Sequence, residues 1–221
     1  MATGNVLKPS AVGTALNLRD SIIQASGLSE RLQLLLSNDT QHVIKTDRDG
    51  FCLIHWSLIF EHHQGILLLL RHGLYAPAFA LLRPFEEAFL RSFLVMYGTV
   101  GQFAAIKDGT YSTEFEVIGK LIDEKLGVHP VFGPNFKNKI KTLHGFTHGG
   151  KEQLVRQTSG LDIVSSFTDD EVRTLVGETM LFAFFAALLI TQFLGYPREH
   201  QSATALLNEY VQEIVAQPKQ P

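Results

Sequence analysis

The chain has 221 residues, a net charge of −3, 45% hydrophobic residues and 19% charged residues. That length suits one domain with a sizeable core, and the small negative charge excludes a global attraction to nucleic acid while leaving room for a local basic patch. The single cysteine, Cys52, excludes an intrachain disulfide and points to a reducing compartment, the cytoplasm.

In chain order, residues 1–10 read as a loose leader without the basic and apolar regions of a secretory signal. Val12, Leu16, Leu18, Ile22 and Ile23 predict a first amphipathic helix over about 11–26. Ser29 reads as the N-cap of a second short helix carrying Leu32, Leu34, Leu35 and Leu36. The polar stretch from Ser37 to Gly50 reads as a turn. A long helix is predicted from Phe51 to His72, with His55, Ile59, His62 and Ile66 along one stripe and Gly73 as its stop. The connection at 73–76 is short, so the next helix, from Pro77 to Tyr97, should return antiparallel beside it. Pro84 lies inside that second helix, removes one backbone hydrogen bond and should bend the helix near Ala80 to Arg83.

A short helix and a turn at Asp108-Gly109 follow, then a helix from Thr113 to Leu126 with Thr113 and Glu116 as a capping box. A further helix should start near Asn135, carry Lys137, Lys139 and Lys141, and break at Gly149-Gly150. Thr168 and Glu171 cap the last long helix, which Gly195 and Pro197 end, and a final helix covers about Gln201 to Val215 before a loose tail at 216–221. No strand pattern or repeat stands out. The fold class expected is all-α, a single-domain bundle of five or six main helices over 1–221. The uncharged run Thr179 to Tyr196 is roughly as long as a bilayer needs. With no second span and no flanking basic cluster, it is expected to be a buried core helix rather than a membrane anchor.

The chemistry-bearing residues concentrate on the helix from Pro77 to Tyr97. Arg83, Glu87 and Arg91 recur every four residues along one stripe, and Glu86 lies about 100° from Glu87. Charges on so apolar a helix must be paired or line a cavity. They form either a site that positions a substrate or an ion-pair network that sets register. A second group lies in Leu143 to Arg156, where His144 and His148 are four apart among Gly145, Gly149 and Gly150. Histidine there is either an acid–base group or a partner for a helix's last carbonyls. A third group, His55, Glu61, His62 and His63, can be drawn as metal ligands with Glu86 or Glu87 and His148, but lacks the Glu-x-x-His and His-Glu-x-x-His patterns. No metal or cofactor is expected. Gly-x-Gly-x-x-Gly and Gly-x-Ser-x-Gly are absent too.

The blocks LLRPFEEAFLRSFLVMY and LHGFTHGGKEQLVR resemble those of bacterial all-helical proteins of unknown function, over about residues 55–160. More distantly the chain is similar to the HEPN-like helical proteins of toxin–antitoxin and phage-defence systems. The ribonuclease motif of that group pairs an arginine and a polar residue with a later histidine. The nearest match here is Lys137-Asn138 with His144, a lysine standing in the arginine's place. The resemblance implies a cytoplasmic protein that binds or cleaves RNA in a defence or stress setting. In that reading Glu87, Arg91 and His148 are catalytic, and Arg83, Glu86, His144, Lys139 and Lys141 bind. His148 would approach Glu86 or Glu87, Arg91 would face the same cavity, and the two lysines would guide the anionic strand. A non-catalytic interaction module and a metal- or small-molecule-binding bundle are the alternatives. Many aromatic positions and few charges suggest a homo-oligomer, with RNA or another protein as further partner and no membrane.

Overall fold

A computed structural model of the chain describes residues 17–37, 44–112, 115–126, 145–148, 150–156 and 166–216. Among them are α1 (Leu18–Ser37), α2 (Asp47–Arg71), α3 (Tyr75–Tyr97), α4 (Val100–Lys107), α5 (Phe115–Leu126), α6 (Lys151–Val155), α7 (Asp169–Leu194) and α8 (Pro197–Ala216). The class is all-helical, with no strand among the described residues. The expected five or six main helices become eight among the described residues, because α4 and the five-residue α6 are elements of their own.

α2 and α3 share the most extensive interface and run antiparallel. The register is nearly symmetric about Gly73, whose φ of 70° makes the turn. Gly65 lies against Leu81, eight residues either side of Gly73. At the far end Arg48 meets the last carbonyls of α3, donating from Nη1 to Val95 O at 2.6 Å and from Nη2 to Gly98 O at 3.0 Å. Its guanidinium also lies 4.7 Å from the Phe103 ring centroid on α4. A cation at the negative end of a helix, donating to carbonyls with no intrahelical partner, is favourable on both counts.

α2 begins at Asp47, earlier than the predicted Phe51. Thr46 accepts from Asp49 N–H while the Asp49 carboxylate accepts from Thr46 N–H, a capping box with aspartate in the third position. α1 is one helix where two were expected. Ile22, Ala25, Leu28, Leu32 and Leu36 are all buried and continue one face straight through Gly27. Ser29 is therefore not a cap. It is buried in mid-helix, where its hydroxyl is 3.0 Å from His63 Nδ1.

α7 packs against α1, α2, α3 and α8. Thr168 and Glu171 cap its start as expected, and Gly195 ends it with φ 72°. Its buried face includes Ala183, Ala186 and Ala187, small enough to admit neighbours closely, and the buried hydroxyls of Thr179 and Thr191 donate to Leu175 O and Ala187 O. It is the one described helix long and apolar enough to cross a bilayer, and 56% of its most apolar window is buried inside the protein, which is compatible with a soluble chain. α8 starts at Pro197 rather than near Gln201. Proline suits a first helical position, since its missing N–H would have had no intrahelical partner.

Arg48→Ala should lower unfolding free energy in urea by about 2 kcal/mol, because three carbonyl contacts and the ring contact go together. Arg48→Lys should recover only part of the loss, having no fork to span two carbonyls.

Candidate functional site

The four charges of α3 separate into two environments. Arg83 Nε donates to Glu87 Oε1 at 2.8 Å, and Arg91 Nη2 lies 3.6 Å from Glu87 Oε2. One carboxylate thus bridges two guanidiniums along the stripe, tightly on one side and loosely on the other. Glu86 points elsewhere and is fully buried. The side chain of Arg91 is 45% exposed, against 21% for Arg83 and for Glu87. Arg91 therefore has most of its donors available for something outside the ladder.

That something would sit in a cleft of about 260 Å³. Its walls are Phe51, Ile54 and His55 from α2, Arg91 from α3, Ile106 from α4, and Gly109 and Tyr111 from the turn beyond. His55 and Arg91 stand eighteen residues either side of Gly73, so the pairing register that seats Gly65 on Leu81 also brings these two together. His55 Nδ1 is 2.8 Å from Phe51 O, one helical turn back. A carbonyl can only accept, so Nδ1 carries the proton, and in the neutral ring Nε2 holds the lone pair. Burial holds the imidazole below its ordinary range. The bond to Phe51 works against that, and the Arg91 cation adds to it. A neutral base beside an arginine with donors to spare is an arrangement that binds an anion and accepts a proton. A second cleft of about 420 Å³ shares the Phe51 and Ile54 walls and carries Lys45, Asp47 and Lys107, of which Lys107 Nζ is 2.5 Å from Asp47 Oδ2.

His148 lies in a separate segment. The turn at 145–148 seats on the first half of α3. Phe146 lies 5.5 Å from Phe79, which stacks on Phe167 at 4.8 Å, and Tyr75 adds a fourth ring at 6.1 Å from Phe167. The anchor is polar. Pro84 has no N–H, so the Ala80 carbonyl loses its helical donor, and Thr147 Oγ1 lies 3.3 Å from that oxygen. His148 itself is exposed. Glu87 is seven residues beyond Ala80, about 10 Å further along the helix, and Arg91 is a turn beyond that. Among the predicted catalytic residues the structure therefore brings Glu87 and Arg91 together and anchors the His148 segment toward the other end of α3. Lys139, Lys141 and His144 lie outside the described residues.

The histidines of α2 also part company. His63 is wholly buried, bonded through Nδ1 to Ser29 and stacked 5.7 Å from Phe85; burial alone lowers its pKa to about 3. Burial lowers His62 as well. Among the described residues no three His, Cys, Asp or Glu side chains gather as a metal set. Cys52 is buried, and desolvation raises its thiol to about 12, which makes it a packing residue. The sequence reading placed His55 only among possible metal ligands and missed its pairing with Arg91. The signal was present in the equal spacing of the two about the glycine that joins α2 to α3.

The fold and the ladder define an all-helical protein with a charged stripe on one buried helix. Residues 56–107 match a family of unknown function, DUF6988, a span that starts one residue after His55 and runs through α3 to the end of α4. No curated protein and no solved structure matches the chain.

Two measurements check this geometry. Thr147→Val should cost about 1 kcal/mol by stranding the Ala80 carbonyl, and markedly less in a Pro84→Ala background, where residue 84 again supplies an N–H; a double-mutant cycle in urea reads the coupling. For His63, the unfolded ring titrates near 6.5 and the folded ring near 3, so the unfolded state takes up the proton first. The stabilisation is complete above pH 6.5 and is lost as pH falls toward 3. Between pH 7 and pH 5 the wild type should lose roughly 2 kcal/mol more than His63→Asn.

Proposed function

We propose that this chain is a helical-bundle protein that binds, and cuts, single-stranded RNA through the cleft shared by His55 and Arg91. The observation that carries this reading is Arg91 itself. Its guanidinium is nearly half exposed, its one ion pair among the described residues is at 3.6 Å, and it opens onto a cleft lined in part by apolar side chains. Arginine presents paired donors that match two phosphate oxygens, and Phe51, Ile54 and Ile106 offer surface on which a base can rest. The net charge of −3 argues against tracking a long duplex, which needs many cations in a row. A few nucleotides of unpaired strand suit the size of the cleft. Lys139 and Lys141 would add positive charge that guides the strand, and a defence or stress setting fits the resemblance of the two sequence blocks.

The test is fluorescence anisotropy with a labelled single-stranded RNA across a range of salt. Wild type should bind, and Arg91→Gln should bind more weakly, with a slope of log K against log salt shallower by about 0.7, the value of one phosphate contact on a single strand. A wild type that binds no RNA, or an Arg91→Gln protein with unchanged affinity and slope, overturns the reading.

A further inference from the structure

We infer that the outward face of α2, from Leu58 to the turn at Leu74, docks on the same face of a second copy of this chain, antiparallel and about a two-fold axis near residue 66. The RNA reading is not a premise of this. Three leucines are exposed on the face, Leu58, Leu68 and Leu74. Leu58, Glu61, Gly65 and Leu68 follow at intervals of three, four and three, the spacing of a stripe that packs along another helix. The stripe borders a groove of about 370 Å³ between α1 and α2. Glu61, Gly65, Leu68 and Arg71 line it from α2, and Ser26 and Glu30 from α1. Gly65 brings no side chain to fill it.

The charges identify the occupant. Among the described residues neither Glu61 nor Arg71 has an ion pair, and Glu61 Oε1 accepts only from Ser57 Oγ, at 2.9 Å. Ten residues separate the two, about 15 Å along the helix, too far for them to meet within one chain. A copy running the opposite way removes that separation. Glu61 and Arg71 lie five residues either side of 66, Leu58 and Leu74 lie eight either side, and Gly65 and Leu68 straddle it. One axis therefore sets Glu61 against the partner's Arg71, seats Leu68 over the partner's Gly65, and covers Leu58 with the partner's Leu74. Each contact is made twice, as an isologous interface requires. The face is short, so the dimer is weak, with a dissociation constant on the order of 10–100 µM. His55 lies eleven residues from the axis, about 16 Å along α2, so the cleft it shares with Arg91 stays open in the pair.

The experiment is sedimentation equilibrium of the full chain without RNA, at loadings from about 1 to 500 µM, which bracket that constant. Wild type should pass from monomer to dimer and stop there, since a closed two-fold contact leaves no face to extend. Leu68→Glu should be monomeric throughout. Arg71→Glu sets carboxylate against carboxylate and should weaken the dimer about 10-fold or more. Glu61→Arg added to Arg71→Glu restores opposite charges across the axis and should recover most of that loss. All three positions are exposed, so thermal melts of the variants should match wild type. Should Leu68→Glu fail to fold, Arg71→Glu and the charge swap decide. A wild type that stays monomeric, a dimer indifferent to Arg71→Glu or to a folded Leu68→Glu, or a swapped protein no tighter than Arg71→Glu alone each overturns the inference. None of these results bears on RNA binding, which is read separately with Arg91→Gln.

Discussion

The antiparallel seating of α2 on α3 is the constraint from which the rest of the described structure follows. Gly73 turns the chain at one end, and Arg48 closes the other by occupying the carbonyls that α3 leaves exposed. Between those two fixtures the register has no freedom. It seats Gly65 on Leu81 and sets His55 across from Arg91. The same closure places α4, through Phe103 under the Arg48 guanidinium, so that Ile106 completes the wall of the cleft. An arginine near the positive end of its own helix would ordinarily be misplaced, but its side chain spans to the negative end of a neighbour, where both charge and hydrogen-bonding demand are met.

The charged residues of α3 show how environment sorts groups that sequence spacing alone lumps together. Arg83, Glu87 and Arg91 share a stripe at the boundary between core and solvent, where ion pairing and partial hydration both lower the cost of their charge. Glu86, one position on, is turned inward by the same helical geometry. Consecutive residues about 100° apart can thus have opposite fates, and the ladder can act on a ligand while its neighbour serves the interior.

Much of the fold was legible in the sequence because its signals are local. Thr168 with Glu171, the glycines at 73 and 195, and the short link between α2 and α3 each state their role within a few residues. The failures were local signals overridden from a distance or read too narrowly. Ser29 looks like a cap until His63, thirty-four residues away, claims its hydroxyl and the apolar face of α1 runs on past it. The start of α2 was missed because aspartate stood where glutamate is the usual third residue of a capping box. At the candidate site, the charged stripe was legible by its spacing of four. The partner of Arg91 was not, since it depends on the register between two helices. Pro84 was legible as a break in the bonding of α3, but not that Thr147, sixty-seven residues from Ala80, supplies a donor to the carbonyl it frees.

That borrowed rung has a consequence for how the molecule comes apart. The ladder of α3 is continuous in the chain but not in its bonding, since at residue 84 the donor comes from another segment altogether. A helix with such a seam need not open as one unit. Its first half carries a patch of four rings, Tyr75, Phe79, Phe146 and Phe167, beside that hydroxyl, and also packs on α2 through Leu81. Its second half, from Phe85 to Tyr97, is held by the α2 register and the Arg48 clamp. The seam at residue 84 is where the two halves of α3 can part, while α2, packed on the first through Gly65 and Leu81 and on the second at His55 and Arg91, still ties them together.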